Sequence, residues 1–276
     1  MRAWVFAKRN LRELIRSPLS YIFCVGFPVM MLLLFQMISH FTGQTYWFEM
    51  YRLAPGICVF SFLFVMLFMA LLVSRDRSTA FLTRLYTTRM NLPDFVFGYA
   101  VPGVFIGLAQ AVLCYLTATI LMLATGSHIT AAGITGTYGY AYGEMAQVLT
   151  CEMTVTWSGL LLSILGYLPV ILLFVLLGII FGCILNENAA PGVSSAILTV
   201  GGLMSGAWMP LETMGSFETV CRFLPFYPAV DMGRALVIGD TLTFGRFGVA
   251  LLTVCGYLLL AVFLAVFAFR RQMRGD

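Results

Sequence analysis

The stretch 74–91, SRDRSTAFLTRLYTTRMN, holds four arginines and one aspartate in a chain in which only 10% of the residues are charged. Charges at this density between two apolar runs can bind a charged partner or orient the chain in a membrane. Phe81, Leu82 and Leu85 also recur at helical spacing, which is typical of an amphipathic helix. The residue types therefore leave two roles open, docking to a partner and setting the topology of the chain.

Other residues that could support chemistry are scarce. Lys8 is the only lysine, and a nucleotide-binding P-loop needs a lysine after its glycine-rich turn. His40 and His128 stand alone, and there is no Cys-x-x-Cys pair or Ser/His/Asp spacing. We therefore expect no catalytic residue, metal site or cofactor in this chain.

The composition predicts an integral membrane protein. Hydrophobic residues make up 61% of the chain, whereas a soluble domain has about 25% charged residues to face water. The apolar residues form blocks of at least roughly 18 residues, the length of a transmembrane helix. We predict an all-α integral membrane protein with six spans near Leu19–Ser39, Pro55–Val73, Gly98–Ala124, Leu160–Leu185, Ala189–Met209 and Gly245–Phe269.

The basic residues predict the orientation. Most of the 16 lie before the first span, in the loop 74–97, or after the last span. Because basic loops stay in the cytoplasm, we expect both termini and this loop to be cytoplasmic. The net charge of +4 reflects this sorting and does not indicate nucleic-acid binding.

Residues 1–18 are predicted to form an amphipathic helix in the cytoplasmic interface, separate from the transmembrane domain 19–276. Trp4, Ala7, Leu11 and Leu14 follow helical spacing on one face, and arginines occupy the opposite face. The alternative is a plain cytoplasmic start of the first span whose arginines only set topology.

Two external segments are expected to carry structure of their own. In 126–157, three tyrosines at every second position, from Tyr138 to Tyr142, fit either one face of a strand or a flexible interfacial loop. The segment 210–244 is too polar to span and too apolar for a free loop, which favours re-entrant or interfacial short helices. Within it, Asp231 and Arg234 could pair on one helical face.

Small residues and cysteines suggest two further contacts. The cluster Gly201, Gly202, Ser205 and Gly206 would create a narrow helix face for close packing, for a second copy or for a cavity. Cys151 and Cys221 both fall on the predicted external side, where a disulfide between them is possible.

The organisation of the chain resembles the permease subunit of type-2 ATP-binding-cassette exporters, the family that includes daunorubicin-type drug exporters. The likeness lies in three places: VSRDRSTAFLTRLYTTRMNLPDFVFGYAVP, the turn ILNENAAPG, and GAWMPLETM followed by LPFYPAVDMGRALVIG. In the last, the resemblance places Pro210, Pro225, Asp231 and Arg234 in the external re-entrant region.

The resemblance implies a division of labour. A separate ATPase subunit would hold ATP and magnesium, and a second copy or a paralogue would complete the transport path. The loop 74–97 would contain a coupling helix that docks into the ATPase, with contacts from Arg75, Asp76, Arg77, Phe81, Leu82, Arg84 and Leu85.

The expected function is export of a hydrophobic or amphipathic, drug-like or lipid-like substrate. Candidates for an apolar path are Phe35, Phe64, Phe68, Met204 and Trp208. Export of a glycolipid, a polysaccharide, a peptide or sodium stays open. A secondary carrier or channel would need intramembrane charges or a polar filter, which are not visible in the sequence. A non-transporting membrane scaffold or sensor would need no ATPase.

Overall fold

The computed structural model describes residues 2–42, 48–79, 92–142, 147–208, 211, 214–238 and 244–273. The helices before the sheet are α1 (Arg2–Arg16), α2 (Pro18–Tyr21), a π-helical turn (Ile22–Gly26), α3 (Phe27–Thr42), α4 (Met50–Ser78) and α5 (Leu92–Ala124). Three strands follow, β1 (His128–Ile129), β2 (Gly133–Tyr142) and β3 (Gln147–Thr156). The remaining helices are α6 (Trp157–Gly166), α7 (Leu168–Ile184), α8 (Ala190–Met204), α9 (Ser216–Phe223), α10 (Phe226–Ile238) and α11 (Phe244–Met273).

Five helical stretches of the described chain are long and apolar enough to cross a membrane. They are Ile22–Phe41, Met50–Ser78, Asp94–Ala124, Trp157–Ile184 and Phe247–Phe267. The prediction of a helical membrane protein is therefore confirmed. The fifth predicted span, Ala189–Met209, is not among these five stretches. The helix in that place, α8, has 15 residues and is only about 22 Å long at 1.5 Å per residue. It ends where Gly206 takes a φ of 64°, a conformation that suits glycine.

The centre of the bundle is α4. Its apolar window is 89% buried, and it packs against α3, α5, α7, α8 and α10. Small residues on α7 permit the closest of these approaches: a Cβ at Gly182 would lie 2.6 Å from the Cβ of Val73, and one at Gly178 would overlap the carbonyl oxygen of Met66. A helix enclosed in this way moves only together with its neighbours.

The loop between the third and fourth predicted spans folds as a three-stranded antiparallel sheet. The register of β2 and β3 runs from Gly133 opposite Thr156 to Tyr142 opposite Gln147. This observation decides between the two alternatives for 126–157 in favour of the hairpin. The sheet is an exception to the predicted all-α class, and the tyrosines and threonines of its strands are residue types that favour extended backbone.

The N-terminal helix α1 (Arg2–Arg16) ends before the first span and packs with part of its expected apolar face. Phe6, Ala7 and Leu14 are buried against the bundle, whereas Trp4 is 63% exposed. Ala7 and Leu14 belong to the expected apolar face, whereas Phe6 does not. The helix contacts α5 along its length, so burial follows that neighbour rather than the apolar stripe alone.

Two short helices, α9 and α10, occupy the predicted re-entrant region 210–244. Pro225 is buried before α10, and Pro210 lies outside the described residues. Arg234 donates from Nε to the carbonyl of Arg52 at 3.1 Å and from Nη2 to that of Gly206 at 2.8 Å. It thereby joins α10 to the start of α4 and the end of α8.

Candidate functional site

The last turn of α4, the helix α1, the start of α5 and the turn between α7 and α8 meet at one end of the bundle, here called the arginine-rich end. Asp76 lies at its centre and is 2% exposed. Its Oδ2 accepts from Arg9 Nη1 at 2.7 Å, and its Oδ1 accepts from Arg9 Nη2 at 3.0 Å. Tyr99 OH also donates to Oδ2 at 2.7 Å. One carboxylate therefore ties α1, α4 and α5 together.

The paired guanidinium of Arg9 stays charged. Partial burial alone would lower the pKa of Arg9, but the hydrogen bond and negative charge of Asp76 outweigh it and raise that pKa above its ordinary value. Glu13 adds a second carboxylate, 2.8 Å from Arg9 Nη2. The two parallel bonds to Asp76 form the fork geometry in which an arginine–carboxylate pair is strongest.

Arg77 and Ser78 tie the end of α4 to the turn after α7. Arg77 donates to the carbonyl of Cys183 and, at 2.9 Å, to that of Leu185. These carbonyls belong to the end of a helix, which attracts a cation. Ser78 Oγ donates to Glu187 Oε2 at 2.6 Å. Two of the three segments that carry the family likeness are therefore bound to each other.

Two members of the predicted docking set make contacts inside the chain. Asp76 binds Arg9 of α1 and Tyr99 of α5, and Arg77 binds the carbonyls at the end of α7. Their contact with an ATPase stays a prediction. Arg75 is exposed and lines a cavity of about 240 Å³ together with Phe68 and Glu187. The remaining predicted contacts, Phe81, Leu82, Arg84 and Leu85, lie outside the described residues.

The attachment of α1 to α5 depends on a proline that the prediction did not use. Pro102 lies inside α5 and has no N–H, so the carbonyl of Gly98 loses its helical donor. Asn10 Nδ2 donates to that carbonyl at 3.1 Å. The ring of Phe6 fills the space over Gly98, where a Cβ would overlap it. An amide on α1 thus satisfies a carbonyl that proline leaves free.

An aromatic row runs from the first span across α4 toward the opposite end of the bundle. Neighbouring ring centroids lie 4.6 to 6.4 Å apart, in the order Phe68, Phe23, Phe64, Phe27, Phe60, Trp208, Phe35 and Phe48. The row contains four of the five predicted path residues. Phe64 and Phe68 are buried and the side chains of Phe35 and Trp208 are half-buried. Met204 packs beside the row's end, against the cluster of Leu211, Cys221 and Tyr227.

The glycine face of α8 packs inside the chain. A Cβ at Gly201 would lie 2.9 Å from the ring of Phe226, and one at Gly202 would overlap the ring of Phe60. Ser205 Oγ donates to the carbonyl of Gly202 at 2.8 Å. Within the described chain, α4 and α10 therefore occupy this face.

The opposite face of α8 is exposed. Val193, Ala196, Val200 and Leu203 follow one another at helical spacing and are all accessible. This outward stripe, Val193 to Leu203, is the apolar surface that α8 offers to lipid or to another chain.

The predicted disulfide is absent from the described part of the chain. Cys221 is a buried free thiol packed with Leu211 and Tyr227. Burial and the negative charge of Glu218 raise the pKa of Cys221 above its ordinary value, which keeps the thiol protonated. Cys151 lies in the middle of β3 opposite Tyr138, and its side chain lies outside the description.

Sequence reasoning missed Arg9, Asn10, Tyr99 and Glu187 as partners at the arginine-rich end. One signal was available: Asp76 is the only acid among the four arginines of 74–91. It marked a carboxylate that needs a cation, but nothing in the spacing named Arg9 as that cation.

Two comparisons with known proteins complete the description. The family model described as ABC-2 type transporter matches residues 1–238. No curated protein matches the chain.

Proposed function

Because the chain belongs to the ABC-2 type transporter family, we propose that it is the membrane subunit of an ATP-driven exporter of a hydrophobic or amphipathic substrate. A separate ATPase subunit holds the ATP and magnesium. The chain resides in a bacterial cytoplasmic membrane with both termini in the cytoplasm, as the sorting of arginines supports.

The observation that carries this proposal is the position of α4. One end of this helix leads directly into the segment 80–91, whose composition fits an amphipathic docking helix. Asp76 and Arg77 attach that same end to α1, α5 and the turn after α7. A displacement of the docking helix would therefore act on four elements at once, which suits transmission from a soluble motor to the spans.

The aromatic row supports the substrate class. It joins the first span to the middle of α4, and its rings offer polarisable surface without charge. A drug-like or lipid-like molecule can contact such rings without leaving a buried charge unpaired. A glycolipid, a polysaccharide or a peptide carried by the same machinery is the alternative.

Dimerisation through the outward stripe of α8 completes the proposed assembly. Val193, Val200 and Leu203 are 39 to 52% exposed in the single chain. A second copy or a paralogue packed on this stripe would place two aromatic rows on either side of one path.

The first experiment is purification of the tagged chain from its native membrane in mild detergent, followed by mass spectrometry of the copurifying proteins. The proposal requires a stoichiometric ATPase with a P-loop, whose ATP hydrolysis then reports on candidate substrates. An intact dimer without any ATPase would instead favour a membrane scaffold or sensor.

A charge reversal at Arg84→Glu tests the docking segment. We expect insertion to be retained and ATPase association to fall about tenfold, because a favourable contact at the interface becomes repulsive. The matched control is Arg246→Glu, which lies on the predicted external side and should leave association unchanged. Equal association of both variants would move the docking site away from 74–91.

A further inference from the structure

The cavity of about 240 Å³ at the arginine-rich end adjoins the aromatic row. It is bounded by α1, α2, the last turns of α4 and the turn between α7 and α8, and it is here called the α1–α4 cavity. Phe68, Leu71 and Leu72 of α4 form an apolar part of its lining. Phe68 is also the first ring of the aromatic row, with its centroid 6.4 Å from that of Phe23. The cavity and the row therefore share a side chain.

Two opposite charges line this cavity without binding each other. Arg75, in the last turn of α4, and Glu187, in the turn after α7, are both exposed. Within the described part of the chain, the Arg75 guanidinium has no ion-pair partner, and the Glu187 carboxylate accepts from the neutral hydroxyl of Ser78. Glu13, the third charged residue of the lining, already binds Arg9 at 2.8 Å. One cation and one carboxylate are therefore available to a bound molecule.

The cavity lies where a lipid bilayer changes from hydrocarbon to headgroups. On α4, Arg75 follows the apolar residues Phe68 and Leu72 by two turns and by one turn. Glu187 follows an apolar stretch that ends at Ile184. Charged residues directly after apolar spans lie at the membrane interface. An amphiphile in the cavity would therefore have its polar group beside the two charges and its chain beside Phe68.

We propose that the α1–α4 cavity binds the headgroup of a zwitterionic amphiphile. An anionic group such as phosphate binds Arg75, an ammonium group binds Glu187, and the first carbons of the chain contact Phe68, Leu71 and Leu72. The volume of about 240 Å³ is below that of sites that enclose a drug-sized ligand, so it suits a headgroup rather than a whole lipid. The role of this site as the entrance to the aromatic row rests on the proposed function, whereas the binding itself does not.

The charges of the lining select a zwitterion over other amphiphiles. A phosphate without an amine would pair with Arg75 but would have the like charge of Glu187 close by, and an amine without a phosphate would meet the reverse. A neutral alcohol or sugar would gain neither ion pair. The planar guanidinium of Arg75 matches the geometry of a phosphate. Because both side chains are exposed, solvent screens each pair, and each contributes up to about fivefold in affinity.

The test compares three photoreactive probes on the full chain in an uncharged maltoside detergent, in which no charged lipid competes. All three have the same single chain with a diazirine close to the headgroup. The first has a phosphoethanolamine headgroup, the second is its N-acetyl derivative, which lacks the positive charge, and the third has an uncharged ether oxygen in place of the phosphate. We expect the first probe to label the peptide containing Leu71 and Leu72 about fivefold more than either of the others.

Two variants assign each charge of the headgroup to its partner. Arg75→Gln should make the first and third probes label equally, because the phosphate then gains nothing. Glu187→Gln should make the first and second probes label equally, and glutamine keeps an acceptor for Ser78. The control is Arg12→Gln, an exposed arginine of α1 that does not line the cavity, and it should change neither ratio. Both tested residues are exposed, so we expect both variants to elute as the parent does in size-exclusion chromatography.

The outcomes separate this site from the proposed function. Equal labelling of the parent by the first and second probes would indicate a plain anion site and would overturn the proposal. Preferences that survive in both variants, or labelling concentrated outside the cavity, would overturn it as well. A copurifying ATPase together with any of these results would leave the export function standing. Cavity labelling with the expected preferences but without an ATPase would support the site and contradict its role in ATP-driven export.

Discussion

Two of the arginine–carboxylate pairs, Arg9–Asp76 at the arginine-rich end and Arg222–Glu218 on α9, have similar distances but differ in burial and in sequence separation. The distance from Arg9 Nη1 to Asp76 Oδ2 is 2.7 Å, and the distance from Arg222 Nη2 to Glu218 Oε1 is 2.6 Å. The Asp76 side chain is 3% exposed and its partner comes from another helix, 67 residues away. The second pair lies within α9, and its arginine is 58% exposed.

This difference shows that burial and sequence separation, not distance, decide what an ion pair contributes. An exposed pair one helical turn apart gains little, because water and salt screen it. A buried carboxylate that loses its partner is left in an environment that cannot solvate it. The first pair, together with Tyr99, therefore joins three helices. The second pair joins two residues of the same helix.

The largest loss of stability is expected for Asp76→Ala. It removes the acceptor for both Arg9 and Tyr99, so we expect a loss of about 3 kcal/mol in the free energy of unfolding. Thermal unfolding in detergent, followed by size-exclusion chromatography, would measure it as a lowered midpoint. Tyr99→Phe removes only one of the three bonds and should lose less. If Asp76→Ala is as stable as the parent, the pair does not hold the arginine-rich end together.

An intermediate loss in the free energy of unfolding is expected for Asn10→Leu, because the Gly98 carbonyl then has no hydrogen-bond donor. We expect a loss of about 1 kcal/mol relative to the parent. The sharper measurement is a double-mutant cycle with Pro102→Ala, which restores a backbone N–H to that carbonyl. Asn10→Leu should cost clearly less in the alanine background, and equal costs in both backgrounds would separate Asn10 from the proline.

The smallest effect is expected for Glu218→Ala on α9. The exposed pair with Arg222 should change stability by less than about 0.5 kcal/mol, and high salt should reduce even that. The same unfolding assay at low and high ionic strength would measure it. A loss comparable to that of Asp76→Ala would remove the contrast between the two ends.

The aromatic row and the glycine face show how much residue type and spacing can predict about packing. Phe64 and Phe68 were chosen from α4 by residue type, and the structure places both in one row with Trp208. The cluster that contains Gly201 and Gly202 was interpreted as a narrow helix face, but the side chains that pack against this face were not predicted. Any apolar ring can fill such a groove, and Phe60 and Phe226 fill it from the same chain.

The sequence by itself determined the membrane environment, five of the six predicted spans and the resemblance to the transporter family that the comparison then matched over residues 1–238. These properties are local, because hydropathy and charge can be summed along a window without knowing any neighbour. Tertiary structure alone decided that Arg9 pairs with Asp76 and that Asn10 satisfies the carbonyl freed by Pro102. Such choices depend on which helices lie side by side, since a buried polar group takes its partner from whatever element packs against it.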